Sequence, residues 1–418
     1  LVREVQKLEP AHTLEFDLDT GRVIRRRYWD LPAARPDRAA SSRSADDWVD
    51  AIDDQVRTAV RRQLVADVPL GAFLSGGVDS SIVVAHMGPA STFSIGFDDP
   101  SYNELGWSET VANHLGVSHR TEIITPDAVE LFDGLMAHMD DPIADFSIFP
   151  TYLVSRMARR DVKVVLSGDG GDELFGGYET YLAERAARIW GSLPLGPVRH
   201  AVEGAIRKIR PRATKKGPVN KALRFVEGLD HDPALEHARW RLFVGSALER
   251  ELLTEDARRA LTGSSSDHVL SLFGAAGSSD AVDRQLLVDV RSYLVDNCLV
   301  KVDRMSMACS LEVRVPLLDH ELVELAFEVP AALKIRGRTT KDILKRVAVR
   351  HVPAASVYRP KEGFSIPMKR WLNAEFRPLV EELLSPGRLS ADGLFRPATV
   401  ERLRREHRDG IANHSHVL

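Results

Sequence analysis

One glycine-rich segment, residues 74–81, has the residue types that hold a phosphate group, in the order Leu-Ser-Gly-Gly-Val-Asp-Ser-Ser. Apolar runs precede and follow it, which predicts a strand, a tight turn and the start of a helix. Adjacent glycines let backbone N–H groups approach an anion, and the helix start adds the positive end of its dipole. The spacing matches neither G-x-x-x-x-G-K-[ST] nor G-x-G-x-x-G. The segment predicts another type of phosphate loop, the structural alternative being a glycine turn with Asp79 as helix cap.

A second glycine-rich turn, in residues 166–178, carries three acids: Asp169, Asp172 and Glu173. It too follows an apolar run. Carboxylates suit Mg²⁺ bound to nucleotide phosphates. One turn rich in donors and another rich in acids, each after a strand, form a complementary pair for Mg–ATP, whereas two tight turns with solvated acids are the alternative.

The elements around these turns alternate between strand and helix. Apolar residues recur at spacing four in the first helix, and short apolar runs separate the helices that follow. The predicted strands are 68–74, 92–97, 119–124 and 162–166, and the predicted helices are 46–64, 80–87, 108–115, 128–139 and 149–160. Such alternation predicts an α/β fold with a doubly wound parallel sheet, whose ligand site lies at the carboxyl edge of the strands.

Length, charge and cysteine content give no indication of a nucleic-acid-binding, membrane or cysteine-ligated metal protein. A chain of 418 residues can form two or three domains, and its net charge of −4 demands neither a nucleic acid nor a membrane as partner. No apolar run reaches the roughly 18 residues of a membrane span. Cys298 and Cys309 match no metal-binding spacing, so we expect core residues in a reduced, cytoplasmic protein.

The ends and the middle of the chain carry weaker signals. Residues 13–24 predict a hairpin and 32–44 a linker, and the Leu at position 1 is expected if the chain is a piece of a longer protein. Residues 183–285 are predicted to be mostly helical. The basic stretch 207–224 lacks interleaved aromatic residues, so we interpret it as an exposed connector and not as an RNA-binding patch.

The last third of the chain is rich in charges set among apolar residues, which predicts internal ion pairs, Lys301 among them. Lys341 and Lys345 are expected on one helix face. In the loop 359–367, Lys361 is either a fixed charge for phosphate or a surface lysine.

Taken together, the motifs resemble the synthetase part of the glutamine-hydrolysing asparagine synthetases, a branch of the PP-loop ATP pyrophosphatases. The resemblance extends from about residue 40 to the C-terminus. It rests on residues 74–81, 93–97, 166–178, 301–307, 310–319 and 359–367. It implies that ATP adenylates the β-carboxylate of aspartate and releases pyrophosphate, and that ammonia then displaces AMP to give asparagine.

The resemblance also implies roles for individual residues. Asp79 and Asp172 would hold Mg²⁺, Asp169 would assist ammonia attack, and Lys361 would stabilise phosphate charge during adenylation. Backbone contacts to adenosine would come from Leu74 and Ile95. The remaining nucleotide contacts, in the phosphate loop and beside the nucleotide, would be Ser75, Gly76, Gly77, Asp79, Ser80, Ser167 and Gly168.

Asp169 is a departure, because the familiar members have Glu there; the shorter side chain changes the reach by about 1.5 Å. Related enzymes that adenylate another carboxylate, such as β-lactam synthetases and lasso-peptide cyclases, are therefore an alternative. More remote alternatives are an RNA-acting PP-loop protein and a non-catalytic scaffold.

The resemblance divides the chain as follows. Residues 1–31 would be the tail of a glutaminase domain that supplies ammonia from glutamine, and 32–44 a linker. Residues 45–418 would be the synthetase domain, with a nucleotide-binding core (45–182), a helical insertion (183–288) and a helical C-terminal part (289–418). The expected partners are these small substrates and the glutaminase domain, and a homodimer is compatible with the sequence.

Overall fold

The computed structural model of the chain describes residues 4–32, 43–97, 99, 103–124, 128–209, 218–229, 233–277, 280–360 and 366–418. At the N-terminus, strands β1 (His12–Phe16) and β2 (Val23–Arg27) pair antiparallel, with His12 opposite Arg27. The predicted hairpin is confirmed. Most of the predicted linker lies outside the described residues.

A parallel sheet of five strands forms the centre of the fold. Its members are β3 (Leu70–Phe73), β4 (Ser91–Phe97), β5 (Ser118–Ile124), β6 (Val164–Leu166) and β7 (Glu312–Arg314), in the order β5-β4-β3-β6-β7. The chain builds outward from β3 through β4 to β5 and then returns to the other side of β3 with β6. Ligand crevices form where the strand order reverses in this way, so the ends of β3 and β6 are the expected site.

Helices cover the sheet and form most of the remainder. Those of the first half are α1 (Ala45–Gln63), α2 (Val78–Met87), α3 (Leu105–Leu115), α4 (Ala128–Ala137), α5 (Ile148–Ala158), α6 (Gly171–Phe175) and α7 (Glu179–Ser192). The next group is α8 (Pro197–Arg207), α9 (Pro218–Gly228), α10 (Pro233–Arg241), α11 (Ser246–Leu252), α12 (Glu255–Ala260), α13 (Asp267–Ala275) and α14 (Ala281–Asp289), followed by a π-helical segment (Val290–Leu299). The last group is α15 (Val300–Met307), a short 3₁₀ turn (Pro316–Leu318), α16 (His320–Glu328), α17 (Ala331–Lys334), α18 (Asp342–Ala348), α19 (Ala354–Val357), α20 (Met368–Asn373), α21 (Arg377–Leu383), α22 (Pro386–Asp392) and α23 (Pro397–Arg408). In the part of the chain that is described, no helix is long and apolar enough to cross a membrane.

Apolar side chains on the two faces of the sheet belong to two separate cores. Leu166 packs into the first core with residues of α1, α2 and α18, whereas the neighbouring Val165 packs into the second core with residues of α5 and α20. Successive side chains of a strand point to opposite faces, so both faces are covered, and the doubly wound α/β prediction is confirmed. The first core also takes side chains from α14 and the π-helical segment. The division of the synthetase domain into three parts, after residues 182 and 288, stays a prediction.

The helix that leads into the sheet begins where the sequence predicts. Ser44 caps α1 by accepting the N–H of Asp47, and the carboxylate of Asp47 accepts the N–H of Ser44. This reciprocal pair satisfies two backbone groups that a helix start otherwise leaves open.

Three local features differ from the sequence prediction. β7 was not predicted, because three residues are too short for a periodic pattern. β3 and β6 are shorter than predicted. Lys341 does not lie within a helix with Lys345; it caps α18 in a left-handed conformation, with φ of 52°.

Candidate active site

The phosphate loop connects the end of β3 to the start of α2 and is held by its own hydroxyl groups. The N–H of Ser75 donates to Ser80 Oγ at 3.2 Å, and the N–H of Gly77 donates to Ser75 Oγ at 3.3 Å. Gly76 has φ of 71°, and a Cβ there would lie 2.5 Å from the carbonyl carbon of Trp107. Only glycine fits this turn without strain.

The acidic loop packs directly on the phosphate loop, because β3 and β6 are neighbours and end at the same edge. A Cβ on Gly168 would lie 2.5 Å from the backbone nitrogen of Ser80. A Cβ on Gly171 would lie 2.3 Å from Asp79 Oδ1. The two glycine turns that the sequence pairs are therefore in contact.

Two carboxylates from these loops converge on one buried ammonium group. Lys341 Nζ donates to Asp79 Oδ2 and lies 2.7 Å from Asp172 Oδ1. Burial opposes the charge of Lys341, but Asp172 and Asp79 outweigh it and raise its pKa. A Cβ on Gly177 would lie 1.8 Å from Asp172 Oδ1, so glycine is required for this carboxylate to take its position.

The donor set at this point fits a magnesium ion. Asp79 and Asp172 offer hard oxygen ligands from separate strand ends, and they already share one cation, the ammonium of Lys341. Mg²⁺ in nucleotide sites is held by one or two carboxylates together with substrate phosphates. The structure thus brings together both carboxylates that the resemblance assigns to the metal, and their metal roles stay predictions.

Asp169 lies in the same loop but is turned towards the strand end. The hydroxyl of Ser167 donates to Asp169 Oδ2 at 2.6 Å, and the N–H of Asp169 lies 3.4 Å from Ser167 Oγ. Ser167 is buried, and its N–H donates to Arg314 O of β7 at 2.9 Å. The unpredicted strand β7 therefore fixes the base of the acidic loop.

Beside this loop lies a polar cluster built around Asp145. Asn297 Nδ2 donates to Asp145 Oδ2 at 2.9 Å, and Lys301 Nζ at 3.2 Å, while the hydroxyl of Ser147 donates to Oδ1 at 2.6 Å. Burial opposes ionisation of Asp145, but Lys301 and Ser147 outweigh it and lower its pKa to about 2. Burial opposes the charge of Lys301, but Asp145, with a smaller contribution from Asp169, outweighs it and raises the pKa of Lys301. Asn297 directly precedes Cys298, whose Sγ lies 3.8 Å from Glu173 Oε1, so the cluster lies beside the acidic loop.

A further buried pair supports the acidic loop from behind. Tyr178 OH donates to Glu173 Oε1 at 2.5 Å, and Cys298 Sγ lies 3.8 Å from the same oxygen. Burial, followed by the charge of Glu173, raises the pKa of Cys298 to about 12, and burial raises that of Cys309 to about 11. Both thiols are protonated near neutral pH, in agreement with their interpretation as core residues.

The predicted adenosine contacts lie on the neighbouring strands. Leu74 follows β3 and is buried, and its N–H donates to Phe93 O at 3.0 Å. Ile95 lies within β4 and is 7% exposed. Both positions are next to the phosphate loop, and their backbone roles stay predictions.

Lys361 lies outside the described residues, but the segment that leads to it is anchored at the site. Arg359 donates from Nη1 to Glu104 Oε1 at 2.9 Å and from Nη2 to Ser75 O at 3.4 Å. Its side chain is 7% exposed. The side chain of Arg359 therefore contacts the phosphate loop two residues before Lys361.

Sequence reasoning missed three contributors: Lys341, Arg359 as an anchor, and the Asp145–Lys301 pair. Lys301 was expected in an ion pair, and this is confirmed, but no spacing identifies a partner 156 positions away. The signal for Lys341 was a lysine after Thr339-Thr340, which is not specific.

The sequence matches the family model for asparagine synthase over residues 51–418. It is 32% identical to a "Putative asparagine synthetase [glutamine-hydrolyzing]" of Mycobacterium tuberculosis, over 100% of this chain and 63% of that protein. It is 29% identical to "Asparagine synthetase [glutamine-hydrolyzing] 1" of Bacillus subtilis, over 93% of this chain and 59% of that protein. A more distant relative is "Amidase chry2" of Gibberella zeae, 25% identical over 91% of this chain and 61% of that protein.

The chain spans about three fifths of the length of these curated relatives. The family model covers both glycine loops, Lys341 and the Asp145–Lys301 pair. The chain belongs to the asparagine synthase family.

Proposed function

We propose that the chain is the synthetase part of an enzyme that forms an amide from a carboxylic acid at the expense of ATP. The favoured acid is aspartate. Its side-chain carboxylate attacks the α-phosphorus of ATP, the bond to the β-phosphate breaks, and pyrophosphate leaves; ammonia then attacks the acyl carbon, loses a proton and displaces AMP. The observation that carries the proposal is the convergence of Asp79 and Asp172, from two strand-end loops, on one cation.

The phosphate loop would bind the pyrophosphate portion of ATP. Hydrogen bonds between Ser75, Ser80 and the N–H of Gly77 hold the turn in its shape before ATP arrives. The start of α2 lies next to this turn, and a helix N-terminus favours an anion. Preformed donors of this kind stabilise developing negative charge without reorganisation.

Asp79 and Asp172 would hold Mg²⁺, which when bound neutralises phosphate charge and orients the leaving pyrophosphate. Lys341 keeps the two carboxylates together as long as no metal is bound, since both contact its ammonium. In the complex with ATP, we infer that the Lys341 ammonium would turn towards the phosphates. Lys361, two residues beyond the anchored Arg359, would add a second cation there.

The acceptor acid would lie between the acidic loop and the Asp145 cluster. Lys301 is a half-buried cation that Asp145 holds in place, and Asn297 donates to the same carboxylate oxygen of Asp145. A cation in a fixed position can orient an incoming carboxylate. Asp169 would help ammonia to attack the acyl-adenylate.

Pyrophosphate release tests the proposal directly. With Mg–ATP, aspartate and ammonia, we expect AMP and pyrophosphate in equal amounts, together with asparagine. Asp79→Asn should abolish release and leave the fold intact, whereas Asp67→Asn, at an exposed position, should keep activity. ADP and phosphate as products would contradict the proposal, and full activity of Asp79→Asn would refute its metal role.

A second candidate function is adenylation of another carboxylic acid. The length and the hydrogen bond of the Asp169 side chain favour testing it. Asp169 is shorter than the Glu of the familiar enzymes and is bonded to Ser167. A relative at 25% identity is named an amidase and not an asparagine synthetase. Pyrophosphate release with another acid in a substrate screen, and none with aspartate, would select this alternative.

The source of ammonia is part of the proposal. We propose that a glutaminase domain supplies the ammonia from glutamine, and that free ammonia replaces glutamine as a substrate in the assay. Trp29 Nε1 donates to Glu324 Oε1 at 2.8 Å and Arg291 Nη2 to Asp30 Oδ1 at 2.8 Å, so the end of the hairpin segment docks on the synthetase part. We also propose that the protein is located in the cytoplasm and forms a homodimer.

A further inference from the structure

Asp53, His86 and His351 form a cluster on the side of the fold away from the phosphate loop. They come from α1, the last turn of α2 and the segment after α18. His86 Nε2–H and His351 Nε2–H donate to the same oxygen, Asp53 Oδ1, at 2.9 and 2.8 Å. The two rings meet edge to face, with centroids 4.6 Å apart. Three elements that are distant in sequence thus aim three metal-ligand atoms at one point.

We propose that these three residues bind a Zn²⁺ ion or a similar divalent transition metal. Their three ligand atoms lie within 4.8 Å of one another. In a tetrahedral zinc site the bonds are about 2.0–2.1 Å, so ligand atoms lie about 3.3 Å apart. Each hydrogen-bonded contact needs to widen by only about 0.5 Å to admit the ion, with both imidazoles protonated on Nδ1 instead of Nε2.

The surroundings allow entry and a fourth ligand. The side chains of His86, Asp53 and His351 are 6%, 14% and 26% exposed. The half-buried His351 leaves an open side, where water would complete a tetrahedron. Arg350 opposes the ion, since its Nη1 lies 3.9 Å from Asp53 Oδ2, but its closer partner is Asp50 at 2.6 Å.

The position of the cluster gives the ion a structural role. α2 begins at the phosphate loop that carries Asp79 and contains His86 about 10 Å further along its axis. α18 begins after Lys341, and His351 follows its end. Bound zinc would therefore join the far ends of the two elements whose near ends place Asp79 and Lys341. We expect the ion to stabilise the fold, not to take part in the reaction.

Calorimetric titration of the chelator-treated chain with ZnCl₂ tests the site, with excess Mg²⁺ present to occupy the carboxylates of the active site. One Zn²⁺ should bind per chain and raise the melting temperature. His351→Asn and His86→Asn should each weaken binding by about 100-fold or more, whereas His114→Asn, an exposed histidine outside the cluster, should leave it unchanged. Melting curves without zinc show whether each variant is folded.

Cobalt provides a second readout that does not depend on stability. Co²⁺ in a four-coordinate site with two imidazoles gives intense visible bands, and these should be absent in His351→Asn. Equal zinc affinity in wild type, His351→Asn and His86→Asn, or no binding by the wild type, would overturn the proposal and leave a hydrogen-bonded cluster. Neither result would affect the pyrophosphate assay, so this inference is independent of the proposed function.

Discussion

Among the residues that the structure describes, Lys334 and Lys341 are buried beside aspartates, and their surroundings differ. Lys334 is 0% exposed; its Nζ lies 3.1 Å from Asp283 Oδ1 and 5.1 Å from the centroid of the Phe327 ring, among helices. Lys341 is 5% exposed, has a left-handed backbone and contacts two carboxylates at the carboxyl edge of the sheet. The first pair satisfies a buried charge inside a core. The second brings carboxylates from two strand-end loops to one ammonium group, which is the arrangement expected of the proposed cation site.

The largest effect on stability is expected at the structural pair. Lys334→Met leaves Asp283 buried without its main cation, which should lower the free energy of unfolding by about 3–5 kcal/mol. Lys221→Met, which breaks an exposed pair with Glu179, should cost no more than about 1 kcal/mol. Urea denaturation measures both. If Lys334→Met folded but lost pyrophosphate release, the assignment of a purely structural role to Lys334 would be wrong.

A second structural charge should make stability depend on pH. His237 is 1% exposed and lies between Glu184, 2.6 Å away, and Asp289, 2.9 Å away. Burial opposes its charge, but Asp289 and Glu184 outweigh it and raise its pKa to about 9.

Because the folded pKa is above the unfolded value of 6.5, the stabilisation is fully present below pH 6.5 and is lost as the pH rises through 9. The pKa difference corresponds to about 3 kcal/mol. Denaturation curves at pH 6 and pH 9.5 should show this loss for wild type, and His237→Gln should be less stable at pH 6 with a flatter profile. An equal pH dependence of both proteins would show that His237 is not the group responsible.

At the proposed cation site the expected effect is on activity and not on stability. Gly177→Ala places a Cβ 1.8 Å from Asp172 Oδ1 and 2.2 Å from Lys341 Cε, so one of these side chains must move. Misplacement by about 1 Å can reduce a rate about 100-fold, and we expect such a loss in pyrophosphate release. Gly191→Ala is the matched control, because a Cβ added there would meet no atom within 4 Å beyond its own stretch of helix. Equal rates for the two variants would remove Asp172 from the site.

The two lysines also show what sequence could and could not predict. Both glycine loops, and the alternation that places them at neighbouring strand ends, are local patterns, so the sequence predicted Asp79 and Asp172 together. Lys341 reaches Asp79 across 262 positions and adopts φ of 52° at the start of α18, and neither the separation nor the conformation leaves a specific pattern in the sequence. The same holds for β7, whose three residues gain their strand character from pairing with β6.

The smallest effect is expected at Asp169, a carboxylate that would assist the reaction of ammonia and would not hold a cation. Asp169→Glu extends the carboxylate by about 1.5 Å and gives up the bond from Ser167, which is 2.6 Å in length. If aspartate is the acceptor, asparagine formation should stay within about tenfold of wild type, a change below about 1.4 kcal/mol.

Asp169→Asn has the same shape without the charge, so it should slow asparagine formation more than pyrophosphate release. Rapid-quench measurement of both products at saturating ammonia separates the two steps, and Ser167→Ala controls for loss of the hydrogen bond alone. Equal slowing of both steps by Asp169→Asn would place this carboxylate with Asp79 and Asp172 at the nucleotide. Selective slowing of the second step would instead assign it to ammonia, because a negative charge beside the acyl-adenylate is needed only once ammonia attacks and must lose a proton.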